Sequence, residues 1–186
     1  LNIKSDYPVV TKKIREDDEQ DKVENQGWND LADFEIGQTV QYRYESNMPD
    51  VNGYNTYYYA WHDVMSEALT FKKDSVAIRI YENSNVGNYY ELKEDEFEVK
   101  EAPGGGDTFQ IVVSDMKKII DREFNRKNEA GENKYGQKIV LTYQATLNEK
   151  AAKNTGRPGF ENDVRLEFSN DPDSAVRGST GYTPWD

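Results

Sequence analysis

The sequence predicts an all-β fold, an antiparallel sandwich carrying one short helix near residues 114–125. Three observations predict it. Short segments with apolar residues at every second position recur along the chain, as half-buried strands require. Turn signals separate them, among them Asn52-Gly53 and Pro103-Gly104-Gly105-Gly106. Only one stretch has helical spacing, so there is no strand–helix–strand alternation and no parallel sheet. A chain of 186 residues is long enough for one such domain with its own core. The expected division is a linker or tail at 1–6, the sandwich at 7–172, and a tail or connection at 173–186.

Taken in order, Tyr7–Ile14 is the first expected strand and Arg15–Gly27 an acidic loop. Val40, Tyr42 and Tyr44 alternate with polar residues in Thr39–Tyr44. Asn47–Gly53 is a turn region. Asn55–Trp61 is an aromatic strand running on towards Asp63, and Ser66–Thr70 turns the chain. Val76, Ile78 and Ile80 are in phase along Ser75–Tyr81, and Asn83–Asn88 is a polar turn. Phe97 and Val99 mark a short strand before the triple-glycine loop. No Gly-Lys-Ser/Thr follows those glycines, and a strand rather than a helix comes next, which excludes a phosphate cradle. After the Phe109–Val113 strand, Ser114 is the expected cap of a helix ending near Phe124, with Met116, Ile119, Ile120 and Phe124 on one face. Asn125–Gln137 is loop, Lys138–Leu147 a long strand, Ala151–Gly159 loop and Asn162–Asn170 the last strand.

Net charge is −12 and mean hydropathy −0.97. This acidity argues against nucleic acid as a partner and against anionic membrane surfaces. No run approaches a membrane-spanning helix. The absence of cysteine excludes disulfides, thiol catalysis and the usual structural zinc sites. Calcium is a weak reading of the Glu16-Asp17-Asp18-Glu19 run, whose spacing fits no known binding loop. No metal and no cofactor are expected.

Three polar residues fall on apolar strand parities. Lys12 shares the parity of Val10 and Ile14. Asp63 shares that of Tyr57, Tyr59 and Trp61. Asn170 shares that of Val164, Leu166 and Phe168. An unpaired buried amide costs roughly 1–3 kcal/mol, so such residues need partners. The reading is that the three meet.

These residues sit in five ordered blocks that carry a resemblance. They are Val10-x-Lys12-x-Ile14; Trp28-Asn29-Asp30-x-Ala32-Asp33-Phe34-x-Ile36-Gly37; His62-Asp63-x-Met65-Ser66-x-Ala68-Leu69-Thr70-Phe71; Tyr143-x-Ala145-Thr146-Leu147-Asn148-Glu149-x-Ala151; and Leu166-Glu167-Phe168-Ser169-Asn170-Asp171-Pro172. Together they resemble the isopeptide-forming second domain of Gram-positive sortase-assembled backbone pilins, a CnaA-type immunoglobulin-like β-sandwich. The resemblance covers nearly the whole chain.

It implies a structural shaft domain of a cell-wall-anchored pilus, extracellular and linked by sortase to other pilin subunits. It implies that Lys12 Nζ attacks Asn170 Cγ and that ammonia leaves, with Asp63 as acid/base. This happens once per molecule, so the protein is not a turnover enzyme. Burial makes the chemistry feasible: it favours the neutral amine and the neutral acid. Folding also holds the partners at an effective molarity on the order of 10⁵ M or more. A bond between residues about 158 apart would stabilise the fold by roughly 5 kcal/mol in the chain-entropy model. The family's secretion signal and sorting motif are not in the sequence, so a domain excised from a longer precursor is expected.

Alternatives stay open for each site. Lys13 replaces Lys12 if a bulge shifts the register. Glu67 competes with Asp63 as the acid, and Asp63 itself would suit a turn cap for Ser66–Leu69. Asn162 shares the parity of Asn170 and competes with it, while Asn170 would also suit an Asx turn before Pro172. His62, on the opposite parity, is read as surface or interface. The alternative function is an adhesin module for host matrix proteins or glycans, with Tyr57-Tyr58-Tyr59-x-Trp61 as an aromatic platform. A two-carboxylate glycosidase is the weakest reading, because 35 acidic residues produce carboxylate pairs by chance.

Overall fold

Strand periodicity becomes two sheets whose apolar faces meet. The computed structural model describes residues 7–8, 11–16, 36–82, 88–153, 162–172 and 176–180, with backbone only for 12–16 and 152–153. The first sheet has the order β1 (Thr11–Glu16), β2 (Thr39–Asn47), β8 (Lys138–Leu147), β4 (Leu69–Tyr81) and β5 (Tyr89–Glu91). The second runs β10 (Arg177–Ser179), β9 (Asn162–Ser169), β3 (Tyr59–Met65), β7 (Asp107–Val113) and β6 (Glu98–Gly104). Every ladder is antiparallel. This is the expected immunoglobulin-like sandwich.

The inward residues are those the alternation selects. Val40, Tyr42 and Tyr44 of β2, Leu141, Tyr143 and Ala145 of β8, and Val164, Leu166 and Phe168 of β9 are buried in one continuous core. Phe71 stacks on Phe109 across the two sheets, with ring centroids 3.8 Å apart. The buried Tyr59 hydroxyl has a partner across the core: Tyr59 Oη donates to Ser46 Oγ at 2.6 Å.

Helix α1 (Met116–Glu123) is capped by Asp115, whose side chain accepts from the Lys118 amide, rather than by Ser114. Met116, Ile119 and Ile120 point into the core, and the Met116 amide donates to the Tyr57 carbonyl at 2.7 Å. The helix thus covers the sandwich next to β3.

Several boundaries differ from the sequence reading. Arg15 and Glu16 belong to β1. The aromatic strand begins at Tyr59 and runs through Asp63 to Met65. β4 begins at Leu69 and absorbs a register shift between Lys72 and Ala77, where Ser75 Oγ accepts from the Gln144 amide at 2.7 Å. The glycine run is a tight hairpin: Gly104 pairs with Asp107, and Gly105 and Gly106 turn with φ of 68° and 90°, values a side-chain-bearing residue adopts only with strain. Edge strands β5 and β10 carry no periodicity to betray them, and β10 lies inside the stretch read as a tail. Most of the acidic loop (17–27), most of the 83–88 turn (83–87) and 154–159 lie outside the described residues.

Candidate functional site

β3 is the middle strand of the second sheet, between β9 and β7, so both of its edges are paired, and its residues are buried on both faces except Val64, which is half-buried. Asp63 points inward and is fully buried. From the opposite sheet, Tyr44 Oη donates to Asp63 Oδ2 at 2.5 Å and Tyr143 Oη donates to the same oxygen at 2.7 Å. The two hydroxyls also touch each other. The fourth member is Asn162, at the start of β9 and fully buried, whose Nδ2 donates to Tyr143 Oη.

Register explains the meeting. Asp63 pairs with Val164 and Met65 with Asn162, so Asn162 is the next inward residue beside Asp63 on the neighbouring strand. Tyr42 pairs with Tyr143, and Tyr44 lies one inward step further along β2. Aromatic rings hold Tyr143 in place: Tyr42 stacks on it at 5.1 Å, and Phe109, Phe71 and Tyr44 meet its ring edge-on at 5.0, 5.5 and 5.5 Å. Burial, then the charge of Asp63, pushes the Tyr44 and Tyr143 hydroxyls well above the ordinary tyrosine range. Tyr42 is pushed up by the same two causes, opposed by the Asn162 amide. At neutral pH all three are neutral hydroxyls that can donate.

Of the predicted residues, Asp63 and Asn162 lie in this cluster. Lys12 occupies the register position opposite Tyr44, on the inner face of β1, while Lys13 stands opposite Arg43 on the outer face. The structure does not bring Asn170 to Asp63. β9 ends at Ser169, and Asn170 is exposed beyond it, its amide bonded to the Val176 carbonyl where the chain turns towards β10. Glu67 lies on the turn after β3 with its side chain 89% exposed, far from a buried acid's setting. Sequence reasoning did not assign Tyr44 and Tyr143 to the site. Their signal was present, since tyrosines on inward parities of two strands must find partners for buried hydroxyls.

His62, read as surface or interface, is closed off from solvent. It faces the outside of the sheet yet is only 5% exposed. Its Nδ1 lies 2.6 Å from Asp107 Oδ2 and its Nε2 2.7 Å from Glu167 Oε1. Arg165 from β9 and Arg177 from β10 border the same group. Among the described residues no group of His, Asp or Glu is arranged to hold a metal ion, and no helix is long and apolar enough to cross a membrane.

No family model matches the sequence, and no curated protein matches it. Solved structures do. The pilus backbone protein RrgB of Streptococcus pneumoniae matches at 21% identity and a TM-score of 0.51, over 88% of this chain and 32% of its own. The major pilin SpaD of Corynebacterium diphtheriae matches at 15% and 0.54, over 95% of this chain and 35% of its own. BcpA, the major pilin subunit of Bacillus cereus, matches at 18% and 0.51, over 96% and 39%. The fold is that of a backbone-pilin domain. The chain spans about a third of the length of these pilins. In this pilin-type sandwich the Asp63 cluster lies between the two sheets, bridging β2 and β8 of one to β3 and β9 of the other.

Proposed function

We propose that this chain is a shaft domain of a sortase-assembled pilus, stapled by an isopeptide bond between Lys12 and Asn162 that forms with the help of Asp63. One observation carries the reading. A carboxyl and a carboxamide, both fully buried, share the hydroxyl of Tyr143 between the sheets, and a lysine stands in register with the tyrosine beside them. Asn162 takes the acceptor role that the family pattern alone gave to Asn170, because Asn162 lies beside Asp63 and Asn170 is exposed.

The chemistry follows from the setting. A site lined by aromatic rings disfavours ammonium, so a lysine that enters it reacts as the neutral amine. Asp63 in its neutral form polarises the Asn162 carbonyl and then moves protons. Lys12 Nζ bonds to Asn162 Cγ, the Cγ–Nδ2 bond breaks, and ammonia leaves. The product ties β1 of one sheet to β9 of the other. Force entering near one end of the domain and leaving near the other then runs through a covalent bond, and the strands between are shielded. That property suits a module stacked in series with other pilin subunits on the cell surface.

Intact-mass measurement tests the reading. The wild-type protein is expected to weigh less than its sequence by one ammonia. Lys12→Ala and Asn162→Ala are expected to abolish that loss, and Asn170→Ala to retain it. Asp63→Ala is expected to fold without losing ammonia. A wild-type mass equal to the sequence mass overturns the proposal, and loss of the mass change in Asn170→Ala but not in Asn162→Ala moves the bond to Asn170.

A further inference from the structure

The Asn162 amide nitrogen is in contact with the Tyr143 hydroxyl. That nitrogen is the leaving group of the proposed reaction, and it cannot leave as an amide anion. The hydroxyl it touches is hydrogen-bonded in turn to Asp63 Oδ2 at 2.7 Å. Asn162 Nδ2, Tyr143 Oη and Asp63 Oδ2 therefore form one continuous chain. Resting on the cross-linking reading above, we infer that Tyr143 is a catalytic residue of the reaction, relaying the proton from Asp63 to the departing nitrogen of Asn162.

The proton count closes. Neutral Lys12 adds to Cγ, leaving its nitrogen with one proton too many and Nδ2 with one too few. In the tetrahedral intermediate Nδ2 has a lone pair, and the bonds that run from Nδ2 to Tyr143 to Asp63 at rest reverse. Tyr143 gives its hydroxyl proton to Nδ2 as it receives the proton held on neutral Asp63 Oδ2, and the carboxylate so formed takes the surplus proton of the lysine nitrogen. The carbonyl re-forms, ammonia departs, and Tyr143 and Asp63 end as they began. A relay that gives and takes in one movement never needs a free phenolate, which matters because burial makes that phenolate inaccessible. Tyr143 also has the rigidity a relay needs, held by aromatic rings from both sheets. Tyr44 differs: it donates to the same Asp63 oxygen and touches the Tyr143 hydroxyl. Tyr44 positions the acid, and Tyr143 carries the proton.

The experiment follows ammonia loss by intact mass in chains recovered unfolded from inclusion bodies and diluted into refolding buffer. Tyr143→Phe is expected to slow the loss about 100-fold or more, as removal of a proton-transfer group does. Tyr44→Phe, which keeps the bridge to Asn162, is expected to slow it far less. Native-like folding of both is judged by near-UV circular dichroism against Lys12→Ala, which cannot cross-link. A folded Tyr143→Phe that reacts at the wild-type rate overturns the relay, as does equal slowing of the two tyrosine variants. Should Tyr143→Phe not fold, the wild-type rate in mixtures of light and heavy water decides. Two protons moving together give a curved dependence on deuterium fraction, and a straight line assigns the transfer to Asp63 alone. A wild-type chain that never loses ammonia overturns the cross-linking reading itself, a separate outcome.

Discussion

His62 and Asp63 are neighbours in sequence and lie on opposite faces of β3, and the two faces solve burial in different ways. Outside the sheet, His62 is held between Asp107 and Glu167, with Arg165 and Arg177 close by. Carboxylates face both ring nitrogens, and Arg177 pairs with Glu167, so charge is matched by charge. Inside, Asp63 meets the neutral hydroxyls of Tyr44 and Tyr143, and an amide completes the group. Matched charges form a stable and unreactive knot. A carboxyl among phenols and an amide, shut away from water, can exchange protons and make a bond. One residue step along a strand separates structural polarity from chemical polarity.

The largest way to break this comparison is to remove the bond the inner face is proposed to make. Lys12 and Asn162 are about 150 residues apart, so the cross-link contributes roughly 5 kcal/mol by the loop-entropy model. Lys12→Ala is expected to lower Tm by about 10–20 °C for a domain of this size, measured by calorimetry. Asn170→Ala is expected to leave Tm nearly unchanged.

The next test uses pH on the inner face alone, in the Lys12→Ala background, which cannot cross-link. Tyr44 and Tyr143 have folded-state values raised above the ordinary one by burial, then by Asp63. Their contribution is therefore complete below the unfolded-state value near 10 and is lost as pH rises above it. The unfolded chain ionises there while the folded chain keeps its protons, so stability is expected to fall by up to about 3 kcal/mol per pH unit from these two residues. Urea melts at a series of alkaline pH values check this. Stability that stays flat above pH 10 would show hydroxyls open to solvent.

The outer face is broken by His62→Ala, which leaves Asp107 and Glu167 without the imidazole between them. Removing one partner of a largely buried charged group is expected to cost about 2–4 kcal/mol. Ammonia loss by intact mass is expected to be unchanged, because the inner cluster makes its contacts on the other side of the strand. A His62→Ala protein that folds but does not cross-link would couple the two faces and end the comparison.

Much of the fold was legible because alternation fixes which face of a strand is buried. Lys138–Leu147 was read with its observed bounds, and Val40, Tyr42 and Tyr44 were placed inward. Asp63 was legible for the same reason, as a charge on the parity of Tyr59 and Trp61. The choice between Asn162 and Asn170 was not. Both share one parity of the last strand, and only the register of β9 against β3 puts the first beside Asp63 and the second beyond the strand end. Burial of His62 escaped for a related reason. Parity says which side of the sheet a residue faces. It does not say that the strand will be central, with long polar side chains from β7, β9 and β10 closing over it.

The smallest expected effect sharpens the comparison at its rim. Arg177 from the short edge strand β10 lies 3.6 Å from the centroid of the Tyr58 ring and 3.5 Å from Glu167 Oε2, and its side chain is nearly half exposed. An exposed cation–π contact and a solvent-screened ion pair together amount to about 1 kcal/mol or less. Arg177→Ala is thus expected to lower Tm by only a few degrees, less at high salt, where the Glu167 pair is already screened. Glu167 also accepts from His62, so the loss should shrink further in a His62→Ala background if the outer cluster acts as one unit. A double-mutant cycle in urea measures that coupling. Strict additivity would make the outer face a set of separate pairs, and the contrast with the single connected hydrogen-bond chain inside would then be sharper still.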